Sequence, residues 1–219
     1  MSRHSIRLSD ALHEYVVSHG TPPDAVLTEL VDETYAALPQ QAGMQIGPDQ
    51  AAFTTLLVKL IGARSAVEVG TFTGMSSLAI ARGLPADGKL ICLDVSDEYT
   101  SIARRFWERD GQSDKIELRL GPALESLRAF PTEPHLDFAF IDADKPSYSV
   151  YWEELVPRMV PGGLIAVDNV LWGGRVVDPS ESGGNVDAVR AFNDLAAADD
   201  RMEVVMLPVG DGLTLARKL

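Results

Sequence analysis

Residues 65–76 read SAVEVGTFTGMS, and this stretch decides the fold. A short apolar run, Ser65–Val69, meets glycine at Gly70, and a second glycine at Gly74 opens an apolar segment of helical length. The predicted unit is a strand, a tight turn and a helix running from about Gly74 to Leu84. The same texture repeats downstream. KLICLDV (89–95) is a strand, and Ser96 is placed to cap DEYTSIARRFWERD, which Gly111 closes. KIELRL, LDFAFID and GGLIAVDN are further strands, separated by the helices ALESLRAF and YSVYWEELVPRM. Strands alternating with helices imply βαβ units and a parallel sheet covered on both faces. After the loop Gly173–Gly184 and a helix from about Val186 to Ala198, MEVVMLPVG and DGLTLARKL are expected to pair as an antiparallel hairpin at the sheet edge.

Upstream of Arg64 the chain reads as helix. In TPPDAVLTELVDETYAAL, Thr21 is placed to cap, Pro22 suits the first helical position, and Asp24 stands where a capping box wants an acid. Val26, Leu27, Leu30, Val31, Tyr35 and Leu38 share one helical face. A break at Pro39–Gly43 precedes a helix from Asp49 to about Ile61. The organisation is one α/β domain over residues 1–219, with residues 1–63 as a helical N-terminal extension.

Composition narrows the function. The chain has 219 residues, 46% hydrophobic and 23% charged, enough to bury a full core. Its net charge of −13 argues against a nucleic-acid surface, which needs clustered positive charge, and against docking on anionic lipid. The opening MSRHSIRLSDALHEYVV has no continuous apolar core of the secretory kind, and no apolar stretch reaches the ~20 residues of a membrane span. A cytoplasmic location is the expectation. The single cysteine, Cys92, lies within an apolar strand and is expected to be a buried structural thiol.

Ligands of an open parallel sheet bind beyond the carboxyl ends of its strands. The first such end, Glu68 to Ser76, has neither the G-x-G-x-x-G fingerprint nor a lysine-bearing phosphate loop. A carboxylate at Glu68 suits a ligand with positive charge, such as an amine or a sulfonium; the plain alternative is a solvated turn. Asp94 closes the second strand about twenty residues beyond the glycine turn, where an acid accepts from ribose hydroxyls or simply caps the next helix. The remaining ends are Asp142-Ala143-Asp144-Lys145 and Asp168-Asn169. Carboxylates gathered in one crevice repel one another, and a hard divalent cation relieves them. Oxygen donors from Asp142, Asp168 and Asn169 suit Mg²⁺. The four histidines, His4, His13, His19 and His135, lie away from these ends, and no paired C-x-x-C is present, so zinc is not expected.

In combination, MQIGPDQ, VEVGTFTGMSSLAIA, GKLICLDV, GPALESL, FIDADKPSY, GGLIAVDNVLWGGRV and GDGLTLARK resemble the cation-dependent, S-adenosylmethionine-using O-methyltransferases, a family that includes catechol and caffeoyl-CoA O-methyltransferases. The resemblance runs from about Met44 to the C-terminus. It implies a doubly wound, Rossmann-like class I methyltransferase sheet of seven strands, the last antiparallel. It implies cofactor contacts from Ile46, Glu68, Gly70, Thr71, Ser76, Asp94, Ala123 and Asp142, and a Mg²⁺ site (or another divalent cation such as Ca²⁺ or Mn²⁺) at Asp142, Asp168 and Asn169. Lys145 matches the general base, with electrostatic support as its other role, and Trp172 lines the acceptor pocket. The implied reaction is methylation of a vicinal dihydroxy aromatic, a catechol or caffeoyl-type hydroxyl, by a homodimer. Ser147 departs from the family pattern, and Asp178–Asn185 falls where the family varies with acceptor. Methylation of another small-molecule hydroxyl or of an amine, a nucleotide-cofactor oxidoreductase and a non-catalytic adenosine-ligand binder are the other readings.

Overall fold

A computed structural model describes residue 6 and residues 8–219; His4 lies outside the described residues. Seven strands form one sheet: β1 (Ser65–Val69), β2 (Lys89–Asp94), β3 (Ile116–Leu120), β4 (Leu136–Ile141), β5 (Met159–Asp168), β6 (Met202–Leu207) and β7 (Leu213–Lys218). Their order across the sheet is β3-β2-β1-β4-β5-β7-β6. β1 to β5 pair in parallel, while β7 runs antiparallel to both β5 and β6. The expected hairpin therefore exists, with β7 inside the sheet and β6 as its edge.

Eight α-helices accompany the strands among the described residues. They are α1 (Asp10–His19), α2 (Ala25–Ala37), α3 (Pro48–Leu60), α4 (Met75–Gly83), α5 (Asp97–Arg109), α6 (Ala123–Arg128), α7 (Tyr148–Leu155) and α8 (Gly184–Ala198). Period-two alternation splits the core into two layers. Ala66, Cys92, Phe138 and Phe140 face one side, with Leu78, Ile102 and Trp107 from α4 and α5. Val67, Val69, Ala139 and Ile141 face the other, with Leu127, Trp152 and Phe192 from α6, α7 and α8. Burial on both faces explains why these strands read as near-continuous apolar runs.

Several local expectations change. The cap of α2 is Asp24, whose side chain accepts from the Leu27 amide, and Thr21 and Pro22 stay outside the helix. Pro23 is the cause: a residue preceding proline is driven out of the α region, so the helix cannot start at Pro22. On the same helix Tyr35 is 57% exposed, and Thr34 takes the inward position, donating to Leu30 O and hydrogen-bonded to the Thr73 hydroxyl. α7 stops at Leu155 because Pro157 follows, and the chain continues as a 3₁₀ turn, Val156–Arg158. The segment Trp172–Val177 is a 3₁₀ turn kinked at Gly173 and Gly174, not an open loop. Cys92 is free and fully buried, as expected.

Candidate functional site

The carboxyl ends of β1, β2, β4 and β5 open onto one cavity of about 980 Å³. Gly70 makes the close approach possible. It sits at φ +90°, and a Cβ there would lie 1.9 Å from the Asp142 carbonyl oxygen. The turn continues through Phe72, a bulky residue held at φ 51°, to Gly74 at φ +92°, where a Cβ would meet Ala103 and Trp107 of α5. A bulky residue in the left-handed region is strained, and such strain collects at functional sites.

Asp94 holds this turn in place. Its Oδ2 accepts from the backbone amides of Thr71 and Phe72, both at 2.9 Å, and its Oδ1 from Ser96 at 2.8 Å. A carboxylate has about four acceptor positions; three are filled by backbone, and one is left for a ligand hydroxyl. Ile46, Thr71, Ser76 and Ala123 line the same end of the cavity. The Thr71 hydroxyl is buried beside Glu68 and Cys92, with no hydrogen bond of normal geometry.

Glu68 differs from the solvated residue considered above. It is wholly buried and is not among the residues lining the cavity. Alternation along β1 turns it into the α4 side of the sheet, beside Ser76, Thr71 and Cys92. Neither carboxylate oxygen makes a hydrogen bond of normal geometry, and burial pushes the carboxyl up to about 7. Glu68 thus sits one layer beneath the cofactor turn.

The second end is built from β4 and β5. Lys145 Nζ is 3.0 Å from Asp142 Oδ1, 2.7 Å from Asn169 Oδ1 and 2.5 Å from the Tyr148 hydroxyl. Tyr148 donates its own proton to the Asp168 carbonyl, so it accepts from Lys145. Three acceptors around one nitrogen require three N–H groups, which describes an ammonium. Lys145 also lies over the rings of Tyr148 and Trp172, at 4.7 and 5.7 Å. Asn169 (φ 57°) and Trp172 (φ 49°) both occupy the left-handed region, which turns the chain sharply at the end of β5. Asn tolerates that conformation better than most residues; Trp does not. Burial first, and then the charge of Asp142, push Asp168 up to about 7.

Of the residues expected at the site, Ile46, Gly70, Thr71, Ser76, Asp94, Ala123, Asp142, Lys145, Asp168, Asn169 and Trp172 line this one cavity, and Glu68 alone lies behind it. Among the described residues no three His, Cys, Asp or Glu side chains cluster as a metal site; the third oxygen donor here is the amide of Asn169. Three contributors carry no role in the sequence reading although each falls in a motif it quotes. Gln50 is 2% exposed, lines the cavity and has an Nε2 without a partner. Tyr148 bridges Lys145 to β5, and Asp211 accepts from the Gly173 amide at 2.6 Å. Their positions inside GPDQ, KPSY and GDG were the available signal.

Comparison with known proteins agrees with this geometry. A family described as O-methyltransferase matches residues 17–219. A caffeoyl-CoA O-methyltransferase of Zea mays is 38% identical over 98% of this chain and 85% of its own length. One of Eucalyptus gunnii is 37% identical, covering 98% and 90%. The crystal structure of an O-methyltransferase from Bacillus cereus in complex with SAH superposes with a TM-score of 0.86 at 36% identity, over 95% of this chain and 97% of that one. The strand order with an antiparallel β7, the glycine turn held by Asp94 and the match along nearly the whole length converge: the chain belongs to the O-methyltransferase family and is a methyltransferase of the S-adenosylmethionine-dependent class.

Proposed function

We propose that the chain methylates one hydroxyl of a vicinal dihydroxy aromatic, with a divalent cation, Mg²⁺ in the first instance, held by Asp142, Asp168 and Asn169. The observation that carries this reading is the crowding at the ends of β4 and β5. The Asp142 carboxylate and the Asn169 amide oxygen stand against one lysine nitrogen, and on the neighbouring Asp168 burial, then the charge of Asp142, push the carboxyl up to about 7. A hard cation fits this all-oxygen donor set. At the other end, the bare backbone at Gly70 and the free acceptor position on Asp94 fit an adenosine-bearing cofactor.

When bound, S-adenosylmethionine supplies the methyl group and the cation favours the ionised form of the acceptor hydroxyl. That ionisation is the hard part. A phenol of pKa near 10 is about 0.1% ionised at neutral pH, a deficit of roughly 4 kcal/mol. Lys145 Nζ, held between Asp142 and Asn169 at the cavity wall, is placed to act as the acceptor of the hydroxyl proton. Tyr148 holds that nitrogen against the end of β5. Trp172, at the head of the 3₁₀ turn, forms a wall against which an aromatic acceptor can lie. Positioning of the attacking oxygen in line with the methyl group accounts for much of the remaining gain.

The same reading includes a homodimer working in the cytoplasm on a small molecule, in keeping with the net charge of −13. Among the described residues no helix is long and apolar enough to cross a membrane. The test is transfer of a labelled methyl group from S-adenosylmethionine to catechol and caffeate, with Mg²⁺ and then with excess EDTA. Labelled product that disappears on chelation is expected. Product that persists undiminished in EDTA would remove the cation from the reaction.

A further inference from the structure

We propose that the acceptor is a compact catechol without an anionic tail, neutral or carrying a protonated amine, and that a coenzyme A thioester is a poor substrate. This rests on the proposed catechol-methylating role of the cavity. It separates the chain from the Zea mays and Eucalyptus gunnii relatives, which are named for such a thioester.

The charged side chains lining the cavity are Asp94, Asp142, Asp144, Asp168, Asp211 and Lys145. Among the described residues Lys145 is thus the cavity's sole cation. It is 7% exposed and already has Asp142, Asn169 and Tyr148 round its nitrogen, so it has no N–H left for a phosphate. Two of the acids belong to neither the cofactor turn nor the donor set. Asp144 is exposed, its carboxylate fixed by the hydroxyls of Tyr151 and Ser147. Asp211 is fixed by the Gly173 amide, next to Trp172. Neutral donors hold both charges in position without cancelling them, and among the described residues neither acid forms an ion pair.

The nearby loop offers no compensation. Arg175 pairs with Glu181, and the Arg190 guanidinium is taken up by Asp187 and by the carbonyls of Arg175, Val176, Asp178 and Glu181. Arg175 of the turn and Arg190 of α8 are therefore both engaged in holding the loop. Gln50, buried beside the Asp168 carboxylate, is uncharged and adds no cation. Among the described lining residues, a phosphate-bearing tail leaving this cavity would pass fixed carboxylates and meet no free cation, whereas a tail ending in an ammonium would find its counter-charge.

The experiment uses the full chain with S-adenosylmethionine and Mg²⁺, and compares kcat/KM for four acceptors: dopamine, 3,4-dihydroxybenzaldehyde, caffeate and caffeoyl-CoA. Dopamine and the aldehyde are expected to exceed caffeoyl-CoA by tenfold or more at low ionic strength, with the gap narrowing in salt. Asp144→Asn and Asp211→Asn, which remove the charge and keep the size of the side chain, should each lower the ratio of dopamine to aldehyde turnover at least twofold. A general loss of activity would leave that ratio unmoved. Caffeoyl-CoA within tenfold of the aldehyde, or a ratio unchanged in both variants, overturns the inference while the catechol reading stands. Methylation of none of the four by a chain that binds the cofactor overturns the catechol reading itself, and this inference with it.

Discussion

The ends of β1 and β2 and the ends of β4 and β5 put aspartates at two sides of one cavity and use them in opposite ways. At the first, Asp94 accepts three backbone amides, so its charge is satisfied by the fold and the turn it holds is already in shape. At the second, Asp142 pairs with Lys145 while Asp168 lies buried within reach of the Asp142 charge, and Asp168 is left with a raised affinity for a proton. Backbone amides are fixed donors and need no partner from solution; a pair of buried carboxylates does. One end is therefore preorganised, and the other, on the proposed function, is balanced by a bound cation. The contrast implies that the two ends respond separately to substitution.

The largest effect is expected from Asp168→Ala. Loss of one cation ligand should lower kcat/KM by roughly 10³-fold, since a metal contributes several kcal/mol to such a step. SAH affinity, measured by calorimetry, should change less than about threefold; a parallel collapse of cofactor binding would break the separation of the two ends. Gly70→Ala attacks the place where they touch. With a Cβ 1.9 Å from the Asp142 carbonyl and φ at +90°, relief requires moving one strand end or the other. A loss of about 3 kcal/mol is expected, read as a fall of roughly 6–12 °C in Tm, with SAH binding and turnover reduced together. A variant as stable as the parent would show that the contact is soft.

Glu68→Gln sharpens the comparison from beneath. A carboxyl at about 7 in the folded chain and 4.5 in its unfolded reference favours folding fully below pH 4.5, and that contribution is lost as pH rises through 7. The glutamine has no such loss. Between pH 5 and pH 8 the variant should therefore gain on the parent by up to about 3 kcal/mol, measured from denaturant midpoints at each pH. A constant difference would place the titration elsewhere. The smallest effect belongs to Asp24→Ala, far from both ends, which removes the cap of α2 and its ion pair with Arg82. About 1 kcal/mol of stability should be lost with the acceptor preference unaltered.

Much of this was legible beforehand because strand ends are marked by residue type. Gly70, Asp94, Asp142 and Asp168 each close an apolar run, and the topology rule gathers such ends in one crevice. Asn169 was legible as the oxygen donor that follows Asp168, whereas Trp172 came from family resemblance, and both prove to occupy left-handed positions at the end of β5. Glu68 read as part of the turn because nothing in SAVEVG distinguishes an acid at a solvated tip from one facing inward beneath α4. Tyr35 and Thr34 exchanged places for a similar reason: helical periodicity gives a face, but the partner that decides its centre is Thr73, thirty-nine residues away from Thr34.

By itself, the sequence determined the alternation of strands and helices, the parallel sheet with its antiparallel finish, and which aspartates would meet. Those follow from period, burial and turn chemistry, which act over a few residues at a time. Only the tertiary structure decided what each carboxylate does. Asp94 is occupied by amides from another strand's turn, Glu68 lies sealed beneath Ser76 and Thr71, and Lys145 draws Asp142, Asn169 and Tyr148 round a single nitrogen. A charge takes its role from the donors and the water around it, and those are supplied by segments distant in the chain.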